Sequence, residues 1–255
     1  MDYASAIVLA VVEGLTEFLP VSSTGHLILV AILLSVPQST FVKSFELAVQ
    51  FGAILAVVAL YWRYFLKIPV LKRLIVGFVP TGFVGLLIYR TFKDVLLGNE
   101  QVVLWALFLG GIFLVLFELR YKERAAVDDV AKIPYVHCFL IGLVQSVAVI
   151  PGVSRSAPTI VAGLALGMKR ETIVLFSFLL AVPTMIAASG YDLLNSYVEF
   201  SSAQADILLV GFVVSFLVAL PAVKLFLNYV KKNNFIPFGV YRILLVAAFF
   251  VLVIL

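Results

Sequence analysis

Apolar residues in this chain run in long, nearly unbroken blocks, with polar residues gathered into a few short interruptions. A helix that crosses the hydrocarbon core needs about 20 mostly apolar residues. Six segments approach that length, at about residues 45–62, 74–91, 101–118, 173–191, 206–227 and 237–255. Two more apolar stretches, 4–34 and 135–167, are broken near the middle. The breaks read Pro20-Val21-Ser22-Ser23-Thr24-Gly25 and Pro151-Gly152-Val153-Ser154-Arg155-Ser156. A flank of about 14 residues rises only about 20 Å as a helix, too little for a core about 30 Å thick. Each broken stretch therefore predicts a re-entrant helix–turn–helix that enters the membrane and returns. Non-helical backbone at that depth requires surrounding protein or a wet cavity. The pattern predicts an all-α polytopic membrane protein: six transmembrane helices plus two re-entrant segments in a single domain over residues 1–255.

The two broken stretches also resemble each other. Glu13-Gly14-Leu15 through Ser22-Ser23-Thr24 overlies Gln145-Ser146-Val147 through Ser154-Arg155-Ser156 at an offset of 132. Leu47-Ala48-Val49 overlies Leu180-Ala181-Val182 at 133, and Leu74 to Phe78 overlies Leu208 to Phe212 at 134. A slowly drifting offset predicts a duplication, with one repeat over 1–120 and the other over 133–255. Likeness between any two apolar helices is the plainer explanation, but it does not account for matching breaks.

Charge supplies orientation. Lys and Arg concentrate in Arg63–Arg73, Arg120–Lys132, Lys169–Arg170 and Lys224–Lys232, whereas the 192–206 connection carries Asp192, Glu199 and Asp206 and no basic residue. Cytoplasmic loops of membrane proteins are enriched in Lys and Arg. Placing the basic loops inside gives one path: the first hairpin opens outward, three spans follow, the second hairpin opens inward, and three more spans follow. An odd number of spans per repeat gives the halves opposite topology. Inverted repeats with discontinuous helices place their site near the midplane, where the breaks meet.

Composition agrees with lipid as the main solvent. The chain is 64% hydrophobic and 13% charged, with mean hydropathy +1.17, against about half apolar and a quarter charged in soluble domains. A net charge of +4 is modest, and the basic stretches lack the interleaved aromatics of a single-strand binding groove, so no nucleic-acid partner is expected. A lone cysteine, Cys138, excludes an intrachain disulfide and a multi-thiolate metal site. The opening Met1-Asp2-Tyr3 lacks the basic n-region of a cleavable signal, so targeting is expected to rely on the first apolar segments.

Against this background the polar residues of the breaks stand out. Glu13 and Glu17 are four apart, on one helical face before Pro20. A carboxylate at mid-bilayer costs on the order of 3 kcal/mol by insertion scales, so the pair must find a cation, a metal or water. A salt bridge from Arg155 that merely joins the repeats is the plain alternative. Ser22, Ser23 and Thr24 occupy positions where helix N-caps sit, and a single cap uses one hydroxyl. His26 follows Ser23 by three residues, close enough for both to face one cavity. In the second break Gly152 allows close backbone approach to a ligand, and Ser154-Arg155-Ser156 opens the next helix. Helix N-termini present free N–H groups to anions, and Arg suits bidentate phosphate contacts. An alternating-access transporter or lipid flippase is the other class this pattern fits, with Glu13, Glu17 and His26 relaying protons.

Glu13-Gly14-Leu15-Thr16-Glu17-Phe18-Leu19-Pro20-Val21-Ser22-Ser23-Thr24-Gly25-His26 and Pro151-Gly152-Val153-Ser154-Arg155-Ser156 resemble the two signatures of the bacitracin-resistance-type undecaprenyl-diphosphatases. Gln50 to Ala56 and Phe178 to Thr184 also resemble that family, while Ala157-Pro158 stands where its pattern has Gly-Ala. The resemblance implies removal of the terminal phosphate from a polyprenyl diphosphate lipid, recycling the carrier for bacterial cell-wall synthesis. It also implies a multi-pass plasma (inner) membrane protein with its site open to the outer, periplasmic face, and a divalent cation, Mg2+ or Ca2+. Ser23 is then the candidate nucleophile with His26 as general base or acid and Glu13 and Glu17 as metal ligands; in the rival scheme metal-bound or Glu17-activated water attacks directly and Ser23 is a ligand. Arg155, Ser22, Thr24, Gly152, Ser154 and Ser156 are expected around the phosphates. Besides the lipid substrate and the surrounding membrane lipids, a homo-oligomer is left open.

Overall fold

The computed structural model describes residues 1–96, 100–122, 127–195 and 201–254. The described residues form helices and turns, apart from one isolated β-bridge between Val127 and Met168. The α-helices are α1 (Tyr3–Thr16), α2 (Ser23–Leu33), α3 (Thr40–Phe65), α4 (Ile68–Leu96), α5 (Glu100–Arg120), α6 (Tyr135–Gln145), α7 (Ser156–Ala165), α8 (Arg170–Asn195), α9 (Ser202–Val230) and α10 (Ile236–Phe249).

Five of the six expected spans lie on α3, α4, α5, α8 and α9, which among the described residues are the helices long and apolar enough to cross a membrane. The sixth, 237–255, falls on α10 and the turn that continues it. Its α-helix covers only 14 residues, Ile236–Phe249, and the backbone then widens into a π-turn over Phe250–Ile254. The two broken stretches do form short helix pairs, α1–α2 and α6–α7, separated by turns at the expected Pro, Gly and Ser residues.

Outward faces of the long helices are apolar. On α4, Leu71, Ile75, Val79, Phe83 and Leu86 are all exposed, recurring every three or four residues down one helical face. On α9, Leu209, Val213 and Leu217 do the same. Such stripes are unfavourable toward water and at ease in hydrocarbon. The span of α8 is the exception, 61% buried against 28–39% for the other four. Its Phe176, Phe178, Leu179 and Leu180 sit at the centre of the main apolar cluster with Phe18, Ile54, Ile141 and Phe226. This central helix passes directly behind the candidate site.

Helix pairs repeat with their partners exchanged. α1 packs on α9 while α6 packs on α4, and α3 packs on α9 while α8 packs on α4. α5 and α10 pack on each other. They come close because Gly111 and Gly239 face one another: a Cβ on either would sit 2.7 Å from the other's carbonyl oxygen. Small residues at a crossing let helix backbones approach and gain van der Waals contact where no hydrophobic drive exists.

Basic connections gather at one end. Lys231 near the end of α9 pairs with Glu171 at the start of α8 (3.2 Å), and Arg170 pairs with the buried Glu118 near the end of α5. Arg73 in α4 donates to the Ile133 carbonyl just before α6 (2.6 Å). Asp192 and Glu199 of the acidic connection lie outside the residues whose side chains are described, and Asp206 is exposed near the start of α9.

Candidate active site

Both breaks use the same local geometry. Ser22 (φ 70°) and Ser154 (φ 77°), 132 positions apart, adopt the left-handed conformation that non-glycine residues rarely take. Each then caps the helix it opens. Ser22 Oγ accepts from Gly25 N (3.3 Å), and Ser154 Oγ accepts from Ala157 N (3.4 Å). Capping of this kind typically stabilises a helix by about 1 kcal/mol, which helps hold two non-helical turns inside apolar surroundings. Gly152 (φ 92°) bends the second turn. Its lack of a side chain serves close approach to α5, because a Cβ there would lie 2.6 Å from the Val103 carbonyl oxygen. The close approach expected toward a ligand is thus made toward protein.

Glu17 joins the two breaks. Its Oε2 accepts from Ser23 Oγ (2.5 Å), and its Oε1 accepts from Arg155 Nη2 (2.9 Å). Arg155 Nη1 donates to the Ser177 carbonyl of α8 (3.0 Å), and the guanidinium lies 6.0 Å from the centre of the Phe18 ring. A second stitch runs from Ser156 Oγ to the Leu19 carbonyl (2.8 Å), with Ser154 Oγ 3.0 Å from Ser156 Oγ. Glu13, Glu17, Ser22, Ser23, His26, Ser154 and Ser156 are all buried. The structure therefore links Glu17, Ser23, Arg155, Ser154 and Ser156 in one network, while Thr24 is half-buried in the first turn of α2, outside it.

The hydrogen-bond balance within the site is uneven. Glu17 and Arg155 offset each other's burial, and breaking such a pair leaves an uncompensated charge costing about 3–5 kcal/mol. Glu13 has no such partner. It is 0% exposed, and neither carboxylate oxygen has a hydrogen-bond partner among the described residues. Arg155 Nε and Ser177 Oγ are likewise unsatisfied. Unmatched acceptors beside an unmatched guanidinium donor are what a diphosphate, a cation and water would complete.

A divalent ion fits this donor set. Glu13 and Glu17 are hard oxygen ligands one helical turn apart, and Glu13 has both oxygens to spare. Among the described residues no group of three or more acidic, His or Cys side chains is placed to enclose a metal.

His26 faces differently from expectation. Nδ1 lies 2.8 Å from the Ser22 carbonyl, so it carries the hydrogen and donates, leaving Nε2 to accept from Tyr241 Oη at 2.8 Å. The rings stack with centroids 5.5 Å apart. The Ser23 hydroxyl bonds to Glu17, not to His26. Ring geometry is thus set by a carbonyl four residues back and by a tyrosine from α10.

Two groups escape the sequence reading. Arg242, in α10, is 0% exposed and donates to the Gly152 carbonyl (2.8 Å), the Val153 carbonyl (3.1 Å), the Ala106 carbonyl (2.9 Å) and the Leu107 carbonyl (3.2 Å). It clamps the second turn to α5. A lone arginine inside an apolar segment was the available signal, since ionisable residues there face protein and mark function or structure. Gln145, which aligns with Glu13, donates to Thr81 and Thr184 (3.2 Å each) and accepts from Thr159 (3.0 Å).

Fold and site together define a class: a helical membrane protein in which two discontinuous segments bury a carboxylate–hydroxyl–guanidinium set suited to an anionic headgroup. Compared with known proteins, residues 6–248 match the family described as Bacitracin resistance protein BacA. The chain belongs to that family. It is 48% identical over 249 residues to the undecaprenyl-diphosphatase of Aquifex aeolicus, covering 96% of this chain and 97% of the relative. It is 50% identical over 247 residues to the undecaprenyl-diphosphatase of Persephonella marina, covering 96% of each. The undecaprenyl-diphosphatase of Methanococcus aeolicus is 42% identical over 246 residues, again 96% of each.

Proposed function

We propose that this protein removes the terminal phosphate of undecaprenyl diphosphate, releasing undecaprenyl phosphate for cell-wall synthesis and thereby supporting resistance to bacitracin. The observation that carries this reading is the single carboxylate of Glu17, hydrogen-bonded at once to the Ser23 hydroxyl and the Arg155 guanidinium. One contact prepares a nucleophile and the other holds the phosphate receptor beside it.

Phosphoryl transfer depends mainly on positioning and charge stabilisation. Ser23 Oγ attacks the terminal phosphorus as Glu17 takes its proton, and the bridging P–O bond breaks to release the lipid monophosphate. Water then attacks the phosphoserine, freeing inorganic phosphate and restoring Ser23. His26, held by the Ser22 carbonyl and Tyr241, is assigned to proton transfer in this second step. Arg155, with N–H groups at the start of α7, binds the phosphoryl oxygens. Ser22 and Ser154 keep both turns in shape, and Thr24 lies at the rim. A divalent cation held by Glu13 and Glu17 would supply charge neutralisation to the diphosphate.

The same reading includes duplication of one helical unit over 1–120 and 133–255 in opposite orientations within one membrane domain. Matched strained serines and the exchanged helix packing support it. Gathering of the basic connections at one end supports an inner-membrane orientation with that end cytoplasmic. The short pairs α1–α2 and α6–α7 are then re-entrant, and the site opens toward the outer face.

The test is inorganic phosphate released from a C55 polyprenyl diphosphate by purified protein in detergent, with and without chelator. Release that chelation suppresses and Mg2+ or Ca2+ restores is the expected result. A protein that liberates no phosphate under any metal condition refutes the reading.

A further inference from the structure

A cavity of about 590 Å³ lies at the basic end of the molecule and shares no residue with the candidate active site. Its size falls within the range of about 300–1,000 Å³ common for ligand pockets. One wall is the end of α5, where Phe113, Leu116, Phe117 and Arg120 recur on one helical face. The other is Leu164 and Ala165 at the end of α7, with Gly167 just beyond. The α5 wall carries a ladder of rings: Phe113 and Phe117 stack with centroids 6.5 Å apart, and Phe117 and Tyr121 with centroids 5.3 Å apart. From Phe113 to Arg120 the helix rises about 10 Å, and polarity changes along that rise. Phe113 and Leu116, both exposed, lie farther from the basic end, while Arg120 and Lys122, also exposed, stand at the rim. Acidic neighbours are already engaged: Glu118 with Arg170, Asp128 with Lys169 (3.5 Å), and Asp129 with the Ala131 N–H (2.9 Å). Among the described residues neither Arg120 nor Lys122 has a carboxylate partner.

We propose that this cavity is a seat for an anionic glycerophospholipid, with its phosphate at Arg120 and Lys122 and its acyl chains against Phe113, Leu116 and Phe117. The seat is independent of the diphosphatase reading and of the residues that carry it. Charge complementarity and the direction of the polarity select the occupant. Two cations stand where α5 leaves its apolar span, and an aromatic wall runs inward from them. A headgroup at the interface with chains pointing into hydrocarbon matches both. Basic pockets between transmembrane helices bind anionic headgroups, and each Lys or Arg near the surface favours such lipids by about fivefold. A zwitterionic headgroup brings its own cation toward Arg120 and Lys122 and forfeits that gain. A water-soluble partner would have to reach Phe113 inside the apolar span of α5.

The experiment measures binding of dioleoylphosphatidylglycerol and dioleoylphosphatidylcholine to the purified full chain in detergent by native mass spectrometry. Wild type is expected to bind one phosphatidylglycerol about tenfold more tightly than phosphatidylcholine. Arg120→Gln/Lys122→Gln should cut that preference to about twofold or less. The control Lys67→Gln/Lys72→Gln removes two exposed cations elsewhere at the same end and should keep it. Ala165→Phe, at an exposed position, fills the cavity and should weaken phosphatidylglycerol binding although both cations remain. No preference in wild type, unchanged binding in Ala165→Phe, or an equal loss in the Lys67/Lys72 control would overturn the seat. Displacement of the bound phosphatidylglycerol by equimolar C55 polyprenyl monophosphate would assign the cavity to a prenyl lipid and equally overturn it. If the Arg120/Lys122 variant does not fold, wild type photolabelled with phosphatidylglycerol bearing an acyl-chain diazirine decides. Label concentrated on Phe113, Leu116 or Phe117 supports the seat, and label spread evenly over the exposed faces of α4 and α9 refutes it.

Discussion

Glu13 and Gln145 occupy equivalent places before the two breaks, yet their surroundings are opposite. Gln145 uses its amide on Thr81, Thr184 and Thr159, while Glu13, equally buried, has both oxygens unmatched. One step past the strained serines the contrast recurs, with Ser23 in the first break and Arg155 in the second, both reaching Glu17. The backbone device is shared, and the chemistry is divided between the halves. The second half supplies a cationic receptor and pairs its Gln145 internally, whereas the first supplies oxygens and leaves those of Glu13 unmatched. A buried carboxylate without partners is costly, so on the proposed reading Glu13 marks the half that a ligand or ion completes.

The division can be broken at the receptor first. Arg155→Lys keeps the charge but loses the fork that reaches Glu17 and Ser177 together. Phosphate release should fall about a hundredfold or more, in line with removal of a transition-state donor. Near-normal turnover would mean that charge alone suffices. Glu13→Gln, which gives the first half the side chain of the second, should lower kcat/KM about 10- to 100-fold and raise the divalent concentration needed for half-maximal rate. An unchanged metal dependence would remove Glu13 from the cation site. Gln145→Leu should act on stability instead. Leaving Thr81, Thr159 and Thr184 without the amide costs about 1–3 kcal/mol, visible as a lower thermal transition in detergent, with turnover changed only a few-fold. A large loss of turnover at full stability would show that both halves are reactive.

Much of this was legible in the chain. Long apolar blocks located α3, α4, α5, α8 and α9, because length against bilayer thickness is a one-dimensional criterion. Proline, glycine and serine located both breaks for the same local reason. Glu17, Ser23 and Arg155 were grouped because few polar residues had anywhere else to go in lipid. Side-chain direction was not legible. The step from Ser23 to His26 suggests a shared cavity, but Tyr241, more than 200 residues later, decides where the ring points. Gly152 has its reason in Val103 of α5, and Arg242 has its reason in four carbonyls from two elements. Such partners are set by the packing of α5 against α10, which no spacing rule encodes. Hydropathy places α10 but does not register its change from α- to π-turn hydrogen bonding after Phe249.

That the two breaks act as one site is tested most directly by a double-mutant cycle on kcat/KM for the C55 lipid, using Glu17→Gln, Arg155→Gln and the pair. Residues sharing one interaction are non-additive, whereas independent sites add within about 0.5 kcal/mol. The double variant is expected to be no worse than the poorer single variant. Losses that simply multiply would contradict a single site built from both halves.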